Sequence, residues 1–295
     1  MQEMQFKRIK IKEKSIKENR VKMNLTEFIK IIRPIDCIIA ALGAFIGYSL
    51  SIQSIAFNEL ILYAMLTVFF VCAGGQTIND FFDYSIDKKT NKNKPLVKGT
   101  IKRKDAMIFA FILFGVGIGF GFAVSELAAI VTVFFALILI LYSALMKKIK
   151  YFGNFVVSFS VAFTILFGAI ISMNFFLPLI LFVAAFFANT SREIIKDLED
   201  LGSEQGIKIT LPQLMPKKAI YVIVLLFYVV SVGTGFYPYF LGLFNSLIYF
   251  GLMILAMVFF ALSLHSMEKG KFSASQKYSK IGMLAGLIAF LAGVL

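Results

Sequence analysis

The sequence predicts an all-α, polytopic membrane bundle of about nine transmembrane helices around a central cavity. Three observations carry this. The 295-residue chain is 59% hydrophobic, with a mean hydropathy of +0.84, which is more apolar surface than a soluble domain needs. Its apolar residues form continuous runs, each near the ~20 residues that cross ~30 Å of hydrocarbon; a β-barrel would instead alternate within segments of about ten residues. If every run crosses, all 30 Lys and Arg fall on one side.

The nine spans are expected at 34–53, 57–79, 105–122, 126–146, 152–173, 176–195, 217–234, 240–264 and 278–295. One missed span would scatter the lysines across both sides. Only Glu59 and Glu126 lie near the opposite side. The positive-inside rule then places the N-terminus and the large polar loops in the cytoplasm of a multi-pass cell-membrane protein. The net charge of +13 follows from this topology and does not call for nucleic acid. Residues 1–22 carry eight Lys/Arg and three Glu without an apolar core, so they read as a basic cytoplasmic tail attracted to anionic lipid. Met23 would also serve as a start. Cys37 and Cys72 form neither a disulfide framework nor a metal quartet. The single histidine, His265, reads as an interface residue, and a histidine-based metal site is excluded.

Two acidic clusters interrupt this pattern. Asp80, Asp83 and Asp87 are spaced i, i+3, i+7, within about 60° of one helical face, with Asn79 beside them. Carboxylates this close repel one another and demand a cation. A hard divalent ion such as Mg²⁺, with oxygen ligands and phosphate completing its shell, suits them. Lys88, Lys89, Lys92, Lys94 and Lys98 follow. Topology explains most of these lysines, and Lys94 and Lys98 are the candidates for phosphate oxygens. The second cluster holds Asp197 and Asp200 at i, i+3, with Glu193 and Lys196 on the same side and Glu199 pointing elsewhere. Two acidic faces on two helices, at the same side of the membrane, can bracket one diphosphate with Mg²⁺.

These residues resemble the UbiA superfamily of intramembrane prenyltransferases. The N-D-x-x-D-x-x-x-D motif of that family stands here as Asn79, Asp80, Asp83 and Asp87, and its second aspartate motif as Asp197 and Asp200. A family Tyr followed by Lys is matched by Tyr142 with Lys147 or Lys148. The resemblance covers the chain from about Arg33 onward, making 23–295 a UbiA-like transmembrane domain. Within the superfamily, IIRPIDCIIAALGAFIG and REIIKDLEDLGSEQGIKITLP look like the archaeal digeranylgeranylglyceryl phosphate synthase group. Asp36 stands where that group has Asn, and Lys94 where Arg is usual.

The resemblance implies Mg²⁺-dependent transfer of a geranylgeranyl group from geranylgeranyl diphosphate to the free hydroxyl of geranylgeranylglyceryl phosphate. Asp80, Asp83, Asp87, Asp197 and Asp200 would hold the metal, and Lys94, Lys98 and Lys147 would stabilise the departing charge. Tyr84 and Tyr142 would face the carbocation. Both substrates are lipids, so a lateral opening to the bilayer is expected. Arg33 is an interfacial anchor or a contact for the acceptor's phosphate. Asn154 is a helix cap or a hydrogen-bonding group of the site. Two other readings stay open: an aromatic-acceptor prenyltransferase of the same superfamily, and a secondary transporter, which would place ionisable groups at mid-depth. Residues alone leave the oligomeric state undetermined.

Overall fold

A computed structural model describes residues 25–90, 92–145, 152–201 and 210–295. The basic tail and the lysines at 147 and 148 lie outside the described residues. All regular structure described is helical: α1 (Leu25–Ile32), α2 (Pro34–Ile52), α3 (Glu59–Lys89), α4 (Arg103–Val124), α5 (Glu126–Ala144), α6 (Phe152–Ala169), α7 (Phe176–Asp200), α8 (Leu211–Leu214), α9 (Lys217–Phe240), α10 (Leu247–Glu268) and α11 (Phe272–Gly293). Each of the nine expected spans is thus occupied by a helix. Among the described residues seven helices, α2, α3, α4, α5, α7, α9 and α10, are long and apolar enough to cross a membrane. The other two differ for local reasons. For α6 the apolar stretch described is Gly153–Ala169, and α11 carries Lys277 and Lys280 in its first half.

Two helices outrun their apolar spans. The 31 residues of α3 reach about 46 Å at 1.5 Å per residue, well beyond ~30 Å of hydrocarbon. The whole first acidic motif therefore continues the same rod. Helix α7 likewise runs on through Asp200 and carries the second motif. Asn58 starts α3 by accepting the backbone N–H of Ile61 at 3.0 Å, and its amide donates to the Tyr48 hydroxyl of α2 at 2.8 Å.

The helices close a ring. Helix α2 packs on α3, α6, α7 and α11; α3 on α4 and α5; α7 on α6, α9 and α11; and α10 on α9 and α11. Small residues make the tightest crossings possible, as expected where lipid supplies no hydrophobic drive between helices. At the α2–α6 crossing, a Cβ on Gly47 would run into the carbonyl of Ile165, and one on Gly168 into the carbonyl of Ala44. At the α10–α11 crossing, the Ser275 hydroxyl donates to the Ser263 carbonyl at 2.7 Å, and the Tyr228 hydroxyl of α9 lies 3.1 Å from Ser263 Oγ. Every long helix except α4 contributes to the wall of the central cavity.

The α2–α6 contact is backbone against backbone, so it has no flexible side chain to yield. Gly47→Ala or Gly168→Ala should each cost about 1–3 kcal/mol, read as a lowered melting temperature in detergent. Gly115→Ala, with nothing within 4 Å of its added methyl, should leave the melting temperature unchanged or slightly raised.

Candidate active site

The site begins at the break between α1 and α2. Pro34 disfavours the helical region for the residue before it, and Arg33 turns left-handed instead, at φ 51°, ψ 68°. A non-glycine residue pays about 1–2 kcal/mol there. The turn carries the guanidinium to α3, where Arg33 Nη2 donates to Asp80 Oδ1 at 2.9 Å.

The segment after α3 supplies a second cation. Lys94 Nζ donates to Asp80 Oδ1 at 2.9 Å and to Asp87 Oδ2 at 2.7 Å, while Lys92 Nζ lies 3.8 Å from Asp87 Oδ1. Asp80 and Asp87 are only 3% and 2% exposed, and a buried carboxylate left without such a partner is strongly destabilising. The segment is pinned by its own apolar residues. Leu96 and Ile101 pack with Ile31 of α1 and Ala106 of α4. The Thr100 hydroxyl also donates to Glu27 of α1 at 3.1 Å. The Lys30 ammonium beside Glu27 holds that carboxyl below its ordinary range. On the same face of α3, Asn79 donates its amide to Asp83 Oδ2 at 3.2 Å.

Helix α7 brings the second set. Asn154 Nδ2, on α6, donates to Asp197 Oδ2 at 2.7 Å, and both residues are buried. Asn154 thus reaches from one helix to the next. Glu193 accepts from Arg192 Nη1 at 2.7 Å and lies 3.6 Å from Lys196 Nζ. Glu199 turns outward and accepts from Gln276 of α11.

The two sets meet across one cavity of about 1130 Å³. Asn79, Asp83 and Asp87 of α3 line it together with Glu193, Lys196, Asp197 and Asp200 of α7, as do Tyr142 of α5 and Asn154 of α6. Much of the remaining wall is apolar, including Val71, Phe135, Phe163, Leu181, Met253 and Leu287. Ile35 and Ile39 of α2 and Leu284 of α11 line it while being 73%, 47% and 52% exposed, so the cavity reaches the outer surface of the bundle. A smaller cleft of about 350 Å³ takes Asp80 and Lys98, together with Glu27 and Lys30; Arg33 and Lys94 border both spaces. Tyr84 does not line the cavity. Its ring instead faces Arg103 at 4.9 Å and Lys88 at 5.9 Å, because the motif's helical face turns it outward. Sequence reasoning also missed Arg192, Lys92 and Lys280, all of which line the cavity. Arg192 was detectable only as a charge adjoining the second acidic run.

The donors facing the cavity are carboxylate and amide oxygens, which suit a hard cation. Among the described residues no three His, Cys, Asp or Glu side chains already converge as a metal cage. Mg²⁺ does not require one: it uses one or two carboxylates and completes its octahedron with water and phosphate. The residues present therefore fit such an ion.

Comparison with known proteins bears on the family and the fold. The UbiA prenyltransferase family matches residues 40–290. Digeranylgeranylglyceryl phosphate synthase of Methanosphaera stadtmanae is 32% identical over 276 residues, covering 92% of this chain and 100% of that protein. The protein of the same name from Methanocaldococcus jannaschii is 35% identical over 278 residues, covering 92% and 97%. A solved digeranylgeranylglyceryl phosphate synthase structure superposes with a TM-score of 0.76 at 32% identity, over 92% of this chain and 98% of that one. A UbiA homologue from Archaeoglobus fulgidus, solved with DMAPP and Mg²⁺, shares the fold at a TM-score of 0.66 and 16% identity, over 90% and 99% of the two chains. With the family matched over most of its length, this chain belongs to the UbiA prenyltransferase family.

Proposed function

We propose that this enzyme transfers a geranylgeranyl group from geranylgeranyl diphosphate to the free hydroxyl of geranylgeranylglyceryl phosphate, joining a second prenyl chain through an ether bond. The observation that carries the reading is the convergence of carboxylates from α3 and α7 on one cavity whose remaining wall is largely apolar. A diphosphate head fits the charged end and a prenyl tail the apolar one. The cavity is at or above the ~300–1,000 Å³ typical of a single small-ligand site, which accords with two lipid substrates. Its lateral opening would admit both from the bilayer. The relatives' names support the glyceryl phosphate acceptor, and nothing in the geometry favours an aromatic one. Acids gathered at helix ends also argue against a transporter site.

Asp80, Asp83, Asp87, Asp197 and Asp200 would hold Mg²⁺, with Asn79 and Asn154 orienting the carboxylates of Asp83 and Asp197 from behind. When bound, the metal stabilises the charge that develops on the departing diphosphate. Lys94 adds fixed positive charge there, and Lys98 and the lysine at 147 would extend it. Glu193 and Lys196 border the same head group. Arg33 holds Asp80 in place. The allylic C–O bond breaks toward this cationic end. The carbocation is then held against the Tyr142 ring in an apolar chamber that keeps water out. The acceptor oxygen forms the new C–O bond, and its proton passes to the released diphosphate. The charged end would face the cytoplasm, where all the basic segments gather.

The direct test is turnover: the purified protein in liposomes, given both substrates, should yield the diether phosphate by mass spectrometry. Turnover only with an aromatic acceptor would defeat the acceptor assignment. Asp83→Ala and Asp197→Ala should each lower the rate at least about 10²-fold with the melting temperature preserved; near-normal rates would count against the two-helix site.

EDTA should stop turnover and excess Mg²⁺ restore it, and full activity in chelator would remove the metal from the scheme. Asn154→Ala should weaken metal affinity about 10–100-fold. The readout is the Mg²⁺ concentration that gives half-maximal rate. An unchanged requirement would show that Asn154 does not position Asp197.

A further inference from the structure

The cavity-facing side of α7 is divided by charge. At about 100° per residue, Arg192 and Lys196 occupy one flank, and Glu193 and Asp197 the other. The acidic flank is tied to α6 through Asn154 and Asp197. The basic flank turns toward α9 and α11. There the Tyr228 hydroxyl feels the Arg192 charge and neighbours Ser279.

The polar groups on this flank are incompletely matched by protein. Arg192 gives one nitrogen to Glu193, while its Nε is buried without a hydrogen-bond partner among the described residues. Lys280, on α11, lines the cavity and makes no ion pair with a described residue. By contrast, Arg33 and Lys94 are already engaged with Asp80 and Asp87. Buried donors without partners are costly. A planar guanidinium with spare N–H groups is suited to phosphate oxygens.

We infer that Arg192, with Lys280, forms a phosphomonoester subsite that holds the head group of the acceptor lipid, apart from the carboxylate-bounded place of the diphosphate. This rests on the proposed reaction, in which two anionic heads must share one cavity. A phosphomonoester carries about −1.5 to −2 charge at neutral pH. Seating it on the basic flank keeps it off the acidic one. It also leaves the acceptor hydroxyl free to face the prenyl carbon.

The test uses the full chain in liposomes of fixed composition, comparing wild type with Arg192→Gln, Arg192→Lys and Lys280→Gln. Arg192→Gln should raise KM for geranylgeranylglyceryl phosphate about tenfold or more, with KM for geranylgeranyl diphosphate within about twofold of wild type. Lys280→Gln should act in the same direction more weakly, and Arg192→Lys should recover part of the loss. With geranylgeranylglycerol, which lacks the phosphate, wild type and variants should perform alike. A rise in donor KM alone would overturn the subsite. So would an unchanged acceptor KM with a lowered melting temperature, which would leave Arg192 as only a structural partner of Glu193. An effect that follows the anionic-lipid fraction instead of the acceptor would reduce it to surface charge. Binding is read separately, as the rise in melting temperature caused by each substrate. If wild type shows the acceptor-induced rise but no turnover, the reaction is wrong and the subsite stands. If Arg192→Gln keeps the full rise, the subsite is wrong whatever the reaction.

Discussion

A carboxylate buried in an apolar bundle stands only where a cation meets it, and that requirement organises this molecule. Asp80 and Asp87 are nearly inaccessible on α3, and their shared partner, Lys94, comes from the segment that follows the helix. Bridging two acids seven residues apart draws that segment back along the last turns of α3. Leu96 and Ile101 then find their apolar contacts beneath α1, and Thr100 reaches Glu27. The ion pairs and this small core reinforce each other. Neither the charge cluster nor the apolar patch would hold so short a segment alone.

The opposite wall is positioned by a different force. Helix α7 carries its acids at the correct depth because it remains helical through Asp200, and its distance from α3 is set by the helices between them. The α2–α6 crossing is as close as two backbones allow, through Gly47 and Gly168. Helix α6 then packs on α7 and delivers Asn154 to Asp197. Steric smallness at one crossing is thereby converted into the placement of a carboxylate far along the chain.

This division explains what could be read from the sequence. The spans were legible because each is a local run of apolar residues. The acidic motifs were legible because i, i+3 and i+7 spacing puts residues on one helical face whatever surrounds it. The shared side of the two motifs followed from counting lysines. What the chain pattern does not encode is pairing across distance. Arg33 meets Asp80 across 47 residues, and Asn154 meets Asp197 across 43. Nothing local distinguishes Lys94, which bridges two acids, from Lys98, which opens on the neighbouring cleft. Tyr84 fails for the same reason: its position inside the motif placed it near the site in sequence, but its ring faces Arg103 and Lys88.

The three aspartates of α3 share a face and yet have different surroundings, and the difference has a physical use. Asp80 and Asp87 are already neutralised by Lys94, so the helix end is not an open cluster of repelling charges before any ligand arrives. An ammonium has three N–H donors, and the two contacts to Asp80 and Asp87 leave a third, on a side chain that borders both the cavity and the cleft. A diphosphate entering with its metal would therefore meet an exchangeable cation instead of a fixed cage. Asp80 and Asp87 would hold the metal and Lys94 would neutralise the phosphate, with the total charge of the buried end nearly conserved. Such an exchange avoids exposing an uncompensated charge at any stage. It accords with the lack of a preformed group of three ligands among the described residues.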